Sequence, residues 1–189
     1  MKQDEKERRY SYIRTIFYST GFIDLKDICI IIPEPILCSD MDISAAILTM
    51  GLGSPDTFQF CEIRKMAEII GLEFKELAAL VSAKISGTRE NTRKIETRYE
   101  PIREQIQKRW VEKPGKTFYQ LFQYITTEKL ATGLNISKHD IFSLINDPLI
   151  ISFAQLDRIS VLTGIPLITL VELVVDQITS FDNSITIKK

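Results

Sequence analysis

Histidine is almost absent from this sequence, since His139 is the only one among 189 residues. A single histidine cannot build a multi-histidine metal site, and it leaves most histidine-dependent schemes of nucleophilic catalysis without a base. The three cysteines, Cys29, Cys38 and Cys61, form no Cys-x-x-Cys pair, and their odd number does not suit a disulfide framework. The sequence also lacks a glycine-rich phosphate loop and a Gly-x-Ser-x-Gly motif. We therefore expect no metal, no cofactor and no enzymatic activity.

Glycine and proline are scarce too, at 8 and 7 residues, while apolar residues make up 44% of the chain. This composition is typical of a globular protein and excludes collagen-like and disordered chains. The longest apolar run, from Ile28 to Pro33, is too short to span a bilayer. The first nine residues carry charges of both signs and lack the apolar segment of a signal peptide. These features predict a cytoplasmic protein without a membrane partner, in which the cysteines are buried as small apolar side chains.

The chain contains an internal repeat with a period of 93 residues. Shifting the sequence by this number places residues 25–85 on residues 118–178 without a gap, and eleven of the 61 pairs are identical. The identical pairs include Leu37 with Leu130, Pro55 with Pro148, Phe60 with Phe153, Gly71 with Gly164, and Leu77 with Leu170. The three cysteines fall opposite Phe122, Ala131 and Ala154, which supports their burial. Two copies of one structural unit explain this pattern better than a single irregular domain.

Each repeat has the residue spacing of short helices separated by breaks. Apolar residues recur every three or four positions, which predicts an all-α fold. Gly71 and Gly164 are predicted to end the fourth helix of each repeat in a left-handed conformation. Polar residues are predicted to cap the start of the third helix, and these are Asp42 and Ser44 in the first repeat and Asn135 and Ser137 in the second.

The repeat also divides the chain into two predicted domains. Residues 1–88 hold the first repeat with an N-terminal lead-in helix, and residues 89–189 hold a connector helix followed by the second repeat. The connector carries an apolar stripe at helical spacing, which we expect to pack on a repeat. The stripe consists of Tyr99, Ile102, Ile106 and Trp110. The positions that we expect to be almost fully buried are Leu37, Ile43, Leu77, Leu80, Leu130, Ile136, Leu170 and Leu173.

Three stretches of the chain resemble a known family. Residues 136–148 have the sequence ISKHDIFSLINDP, which resembles the third helix and following turn of lambda-repressor-like (Cro-type) helix-turn-helix domains. Residues 152–173, which contain the run LDRISVLTGIPLITLVEL, are similar to the last two helices of that family. Residues 62–80 (EIRKMAEIIGLEFKELAAL) carry most of the match in the first repeat. The resemblance implies two tandem five-helix lambda-repressor-like domains joined by a basic helical connector.

The same resemblance implies binding to double-stranded DNA in transcription regulation. Members of this family place their third helix in the major groove, where polar and basic side chains contact the bases. The corresponding candidates for base contact in the second repeat are Ser137, Lys138, His139, Ser143 and Asn146. The candidates for phosphate contact lie in the connector and are Arg93, Lys94 and Arg98.

The distribution of charge supports an alternative to DNA binding. Residues 25–85 hold 5 basic and 9 acidic side chains, and residues 118–178 hold 3 and 6, so the net charges of the repeats are −4 and −3. The connector, residues 86–117, holds 9 basic and 5 acidic side chains and has a net charge of +4. Because affinity for DNA depends strongly on neutralised phosphates, only the connector is suited to supply it.

The residues at the outer positions of the third helices also favour the alternative to DNA binding. They are Ala45, Ala46, Thr49 and Met50 in the first repeat and Lys138, His139, Phe142 and Ser143 in the second. The second helix begins near Glu34 in the first repeat, where a carboxylate faces phosphates unfavourably, and near Thr127 in the second. Exposed apolar residues commonly mark protein interfaces. The alternative is therefore a degenerate helix-turn-helix scaffold that binds a protein partner through its third-helix faces.

Overall fold

The computed structural model describes residues 3–20, 24–89 and 100–186. Within these ranges every regular element is helical, and the only strand-like pairing is an isolated antiparallel bridge between Gln59 and Ser152. The predicted all-α fold class is confirmed for this part of the chain.

The first half of the chain contains a long leading helix and then the helices of the first repeat. Their bounds are α1 (Gln3–Thr20), α2 (Leu25–Ile31), α3 (Glu34–Met41), α4 (Ala45–Gly53), the 3-10 turn η1 (Pro55–Thr57), α5 (Phe60–Ile70) and α6 (Phe74–Arg89). The second half has the same order, with α7 (Glu100–Glu112), α8 (Phe118–Leu121), α9 (Thr127–Leu134), α10 (Lys138–Asn146), the 3-10 turn η2 (Pro148–Ile150), α11 (Phe153–Thr163) and α12 (Leu167–Thr186).

The helix bounds repeat with the period of the sequence. The helices α9, α10 and α11 and the turn η2 each begin and end 93 residues after α3, α4, α5 and η1, and α8 and α12 begin 93 residues after α2 and α6. Gly71 and Gly164 end α5 and α11 with positive φ angles of 78° and 71°. The predicted helix order and the predicted left-handed glycines are therefore confirmed.

The polar caps differ in part from the prediction. Ser44 and Ser137 cap α4 and α10 with their side chains, as expected. Asp42 and Asn135 do not cap these helices, because they end the preceding helices α3 and α9 in the left-handed conformation, with φ angles of 53° and 56°. Asp and Asn tolerate this conformation better than most residues, so the pair marks a tight turn between two helices.

The predicted core is only partly correct. Leu37, Leu77, Leu130 and Leu170 are fully buried, and Leu173 is 8% exposed. Ile43, Leu80 and Ile136 are only partly buried and pack on the edge of the core, because each lies where its helix or turn faces solvent on one side. The prediction for the cysteines is likewise correct only for Cys38, since Cys29 and Cys61 are partly exposed.

The helices that precede the two repeats, α1 and α7, pack on them through specific side-chain contacts. Lys6 and Tyr10 of α1 both bind the carboxylate of Asp40 in α3, each at 2.6 Å. In α7, Ile106 is buried and Trp110 packs edge-on against the ring of Tyr124. The predicted packing of the connector stripe is confirmed for these two residues, whereas Tyr99 and the side chain of Ile102 lie outside the part of the chain that the structure describes.

The two repeats meet in an interface that relates them by an approximate two-fold axis. The rings of Phe60 and Phe153, which are equivalent in the repeat, stack at 4.4 Å with an angle of 7° between their planes. The amide of Phe60 donates to the carbonyl of Ile151 at 3.0 Å, and the amide of Phe153 donates to the carbonyl of Phe58 at the same distance. Because each contact is matched by its counterpart 93 residues away, the interface has the reciprocal form of a symmetric dimer.

The equivalent helices α6 and α12 also pack together, and buried residues of both repeats form one hydrophobic cluster.

Candidate interaction faces of α4 and α10

The helix α10 begins at a capping box that uses the side chain of one candidate base-contacting residue, Ser137. The hydroxyl of Ser137 accepts a hydrogen bond from the amide of Asp140 at 3.1 Å, and it donates to the Asp140 carboxylate at 2.8 Å. That carboxylate also accepts from the amide of Ser137 at 3.1 Å. The hydrogen bonds from Ser137 lower the pKa of Asp140, so the carboxylate is charged at neutral pH. Ser137 thus orders the start of the helix.

Replacing Ser137 with alanine is expected to lower the free energy of unfolding by about 1 kcal/mol, as loss of an N-cap does elsewhere. Ser44, the cap of α4, lacks an acidic partner at the third helical position, which is Ile47. Urea unfolding of Ser137→Ala and Ser44→Ala should therefore show the larger loss for Ser137→Ala. The contribution of Asp140 to the free energy of unfolding is present at neutral pH. It is lost as the pH falls through the lowered pKa of Asp140 in the folded state. Equal losses in the two variants would contradict this account of the cap.

The cation nearest to the start of α10 is paired with a carboxylate. The ammonium of Lys138 lies 2.8 Å from the carboxylate of Glu128 in α9, and both side chains are well exposed. The hydrogen bond from Lys138 lowers the pKa of Glu128, so the pair is ionic at neutral pH. A phosphate or base that recruits Lys138 must compete with this carboxylate. The neighbouring His139 is exposed to solvent.

The other residues proposed for base contact lie further along α10. The hydroxyl of Ser143 donates to the carbonyl of His139 at 3.2 Å, within the helix itself. Asn146 ends the helix and lines an open cavity of about 710 Å³ between α10, α8 and α12, together with Lys116 and Tyr119. Phe142 is 53% exposed on the same helix. The outer face of α10 is therefore a mixed surface with one paired cation, one imidazole and one exposed aromatic ring.

The phosphate-contacting candidates Arg93, Lys94 and Arg98 lie outside the described residues. The proximity of Lys116 to the end of α10 did not emerge from the sequence, because Lys116 and Asn146 lie 30 positions apart and meet only at the cavity that both line. The ion pair between Glu128 and Lys138 was also missed. Its two residues lie in different helices, and only the turn between α9 and α10 brings them together.

The equivalent helix of the first repeat, α4, presents an uncharged surface. We call its exposed residues the α4 face, and they are Ala45, Ala46, Thr49, Met50 and Gly53. They recur at the spacing of one side of a helix, and Met50 is 54% exposed. The hydroxyl of Thr49 donates to the carboxylate of Glu34 at 2.7 Å, which places that carboxylate at the edge of the α4 face. Asp42, whose side chain is 92% exposed, lies just before the helix starts.

The cysteines and acidic residues do not assemble into a metal site in the part of the chain that the structure describes, where no group of three or more potential ligands occurs. Burial, with a smaller contribution from the Glu34 carboxylate, raises the pKa of Cys29 to about 11. Burial also raises the pKa of Cys38 and of Cys61. All three thiols are therefore protonated at neutral pH and are poor nucleophiles.

Among the described helices, none alone combines the length and apolarity needed to cross a membrane. The helices α3 and α4, bent by 109° at the break between them, meet the same criterion of length and composition as a pair.

Comparison with known proteins yields no relative of this chain, since no protein family, curated protein or solved structure matches it.

Proposed function

We propose that this chain is a protein-interaction module built from two tandem, diverged lambda-repressor-like helix-turn-helix domains, with its main docking surface on the α4 face. Within each repeat, the second and third helices meet at a tight turn that is closed by Asp42 or Asn135 and followed by a serine cap. This arrangement supports the architecture that the sequence resemblance implies. It does not indicate a ligand, because one fold serves many functions.

The observation that carries the proposal is the absence of lysine and arginine from the segment of the chain that contains α4. The sequence from Asp27 to Ile63 has no lysine or arginine and six acidic residues, and α4 itself has no charged residue. A DNA backbone next to α4 would meet the Glu34 carboxylate, and the cation that the described residues place beside the start of α4, Lys65, is paired with Asp42. A protein surface with apolar side chains is the partner that suits the exposed Met50 and the small residues beside it.

A second candidate function is DNA binding through α10, and a specific observation favours it. Lys138 and His139 are both exposed in the first turn of a capped helix, where the resemblance places base-contacting residues. In this case Lys138 leaves Glu128 for the DNA, and the basic connector supplies the phosphate contacts. The two candidates differ in which repeat makes the functional contact.

A gel-shift titration with a pool of random duplexes tests whether the chain binds DNA. It is done in about 50 mM salt, where electrostatic binding to DNA is still strong. We expect no shift of the duplex. A shift that is lost in Lys138→Ala and His139→Ala, but kept in Met50→Asp, would replace our proposal with DNA binding through α10.

A second measurement tests docking directly. A photoreactive amino acid at position 50 is expected to give discrete protein adducts in the source cells. The matched control is the same amino acid at Glu172, which is exposed on α12 in the second repeat. Equal labelling at the two positions, or adducts at neither, would contradict a docking role for α4.

A further inference from the structure

The cavity between α8, α10 and α12 has the size and the lining of a small-molecule site. Its volume of about 710 Å³ lies within the range of about 300–1,000 Å³ that is typical of ligand pockets. The lining includes the apolar side chain of Ile145 and the aromatic side chains of Tyr119 and Phe181. The two aromatic residues are 58% and 52% exposed, so their rings are open to a flat apolar molecule.

A glutamine that is almost fully buried lines the same cavity. Gln177 is 7% exposed, and its Oε1 atom accepts a hydrogen bond from the amide of Tyr119 at 2.9 Å. Only the oxygen of a side-chain amide can accept, so this bond leaves the Nε2 group as a donor, and Nε2 has no acceptor within the described ranges of the chain. Since every fully buried side-chain nitrogen in these ranges has a partner, Nε2 is accessible, and the cavity gives it that access. The cavity therefore presents a fixed hydrogen-bond donor to an acceptor atom of a ligand.

The charged groups at the cavity suit an anion. Lys116 lines the cavity with an exposed side chain, and its ammonium has no acidic partner in the part of the chain that the structure describes. Asp176 also lines the cavity, but its carboxylate lies 3.7 Å from the ammonium of Lys75 in α6, which offsets its charge. A ligand with one negative charge therefore meets an unpaired cation and a free amide donor.

The first repeat uses the equivalent positions differently. Lys84, the equivalent of Gln177, has its ammonium 2.6 Å from the carboxylate of Asp24. The hydrogen bond from Lys84 lowers the pKa of Asp24, so this pair is ionic at neutral pH. Neither aromatic residue of the cavity has an aromatic equivalent in the first repeat. The donor and the rings therefore belong to the second repeat alone and do not follow from the repeated fold.

We propose that the cavity between α8, α10 and α12 binds a small aromatic carboxylate. One carboxylate oxygen accepts a hydrogen bond from Nε2 of Gln177, and the ammonium of Lys116 offsets the negative charge. The aromatic body of the ligand lies against the rings of Tyr119 and Phe181. The site uses no residue of the α4 face, so its test is independent of the proposed function.

Isothermal titration calorimetry of the purified full chain with 2-naphthoate tests this site. We expect a single 2-naphthoate to bind to each chain. The neutral analogue 2-naphthamide has the same rings and an acceptor oxygen but no charge. It should bind roughly fivefold more weakly, because the ion pair with an exposed lysine is lost. Absence of binding at millimolar 2-naphthoate, or equal affinity for the two compounds, would refute an anion site.

The variant Gln177→Glu tests the amide donor. It keeps an oxygen for the amide of Tyr119 and replaces the donor with a second oxygen. In mildly alkaline buffer, where the new carboxylate is charged, the affinity for 2-naphthoate should fall roughly tenfold or more. The matched control is Thr179→Glu, which places the same charge on an exposed position of α12 outside the lining, and its affinity should stay near that of the wild type. Equal losses in the two variants would mean that charge on α12 acts at a distance, and the donor role would be wrong.

Two exposed residues test the site without altering the buried glutamine. Lys116→Ala should weaken the binding of 2-naphthoate roughly fivefold and leave that of 2-naphthamide unchanged, whereas Lys113→Ala, outside the lining, should change neither. Phe181→Ala should weaken the binding of both compounds, and the control Phe142→Ala, which removes a similarly exposed ring from α10, should weaken neither. Circular dichroism melts establish that each variant is folded. Wild-type affinity in both Lys116→Ala and Phe181→Ala would overturn the inference, even if Gln177→Glu failed to fold.

Discussion

Replacing Phe60 with alanine is expected to lower the free energy of unfolding by about 3–5 kcal/mol, which is the usual cost of removing a large buried aromatic side chain. Phe60 and Phe153 are both fully buried, and their stacked rings join the two repeats at the approximate two-fold axis. Phe153→Ala should cost a similar amount, since the two residues occupy equivalent positions. Urea unfolding followed by circular dichroism measures both losses.

A double-mutant cycle separates the stack from simple burial. The two losses should fail to add by on the order of 1 kcal/mol, because aromatic pairs contribute this much beyond the area that they bury. The control is Phe142→Ala, which removes an aromatic ring that is 53% exposed and should change stability little. Strictly additive losses for Phe60→Ala and Phe153→Ala would show that the repeats are not coupled through this contact.

The second large effect is expected at Leu170. This residue is fully buried in α12, and its equivalent in α6, Leu77, is fully buried as well. Truncation of either to alanine should cost about 2–5 kcal/mol, through the lost transfer free energy and the cavity that remains. Unfolding in urea, with the slope of the transition unchanged, gives these values directly.

The neighbouring Leu80 provides the matched comparison. It was expected to be as buried as Leu77, but it lines an open groove with Phe17 and Ile168. Leu80→Ala should therefore cost clearly less than Leu170→Ala, because part of the Leu80 side chain is already exposed to solvent in the groove. A loss in Leu80→Ala as large as that in Leu170→Ala would mean that the groove is closed in solution.

Local structure followed closely from local sequence. The spacing of apolar residues, the conformational freedom of Gly71 and Gly164, and the serines before α4 and α10 each act within a few residues of the backbone that they shape. The gapless period of 93 residues predicted correctly that the same series of helices occurs twice. Even so, the prediction that Asp42 and Asn135 cap the starts of α4 and α10 was wrong, and they end α3 and α9 instead. Such residues suit both an N-cap and a left-handed helix end, so the sequence does not distinguish the two positions.

The candidate sites were less predictable, because they depend on contacts between distant residues. The sequence named Lys138 as a base-contacting residue, yet its ion pair with Glu128 forms only when α9 and α10 turn against each other. Ser137 was named for the same role, and the structure uses its hydroxyl to cap the helix. Exposure was predicted well at the outer positions of the third helices, where even the apolar residues Ala46, Met50 and Phe142 are exposed.

By itself, the sequence determined the helical class, the duplication and the absence of lysine and arginine from residues 27–63, because periodicity, self-similarity and composition are properties of the chain alone. Only the tertiary structure decided how the two repeats meet. The stacking of Phe60 on Phe153 and the reciprocal hydrogen bonds beside it join residues that lie 93 positions apart. No local preference specifies such a contact, since it is selected by the apolar area that both repeats bury together. The same packing leaves the α4 face exposed, and that exposure is the physical basis of the function proposed for this protein.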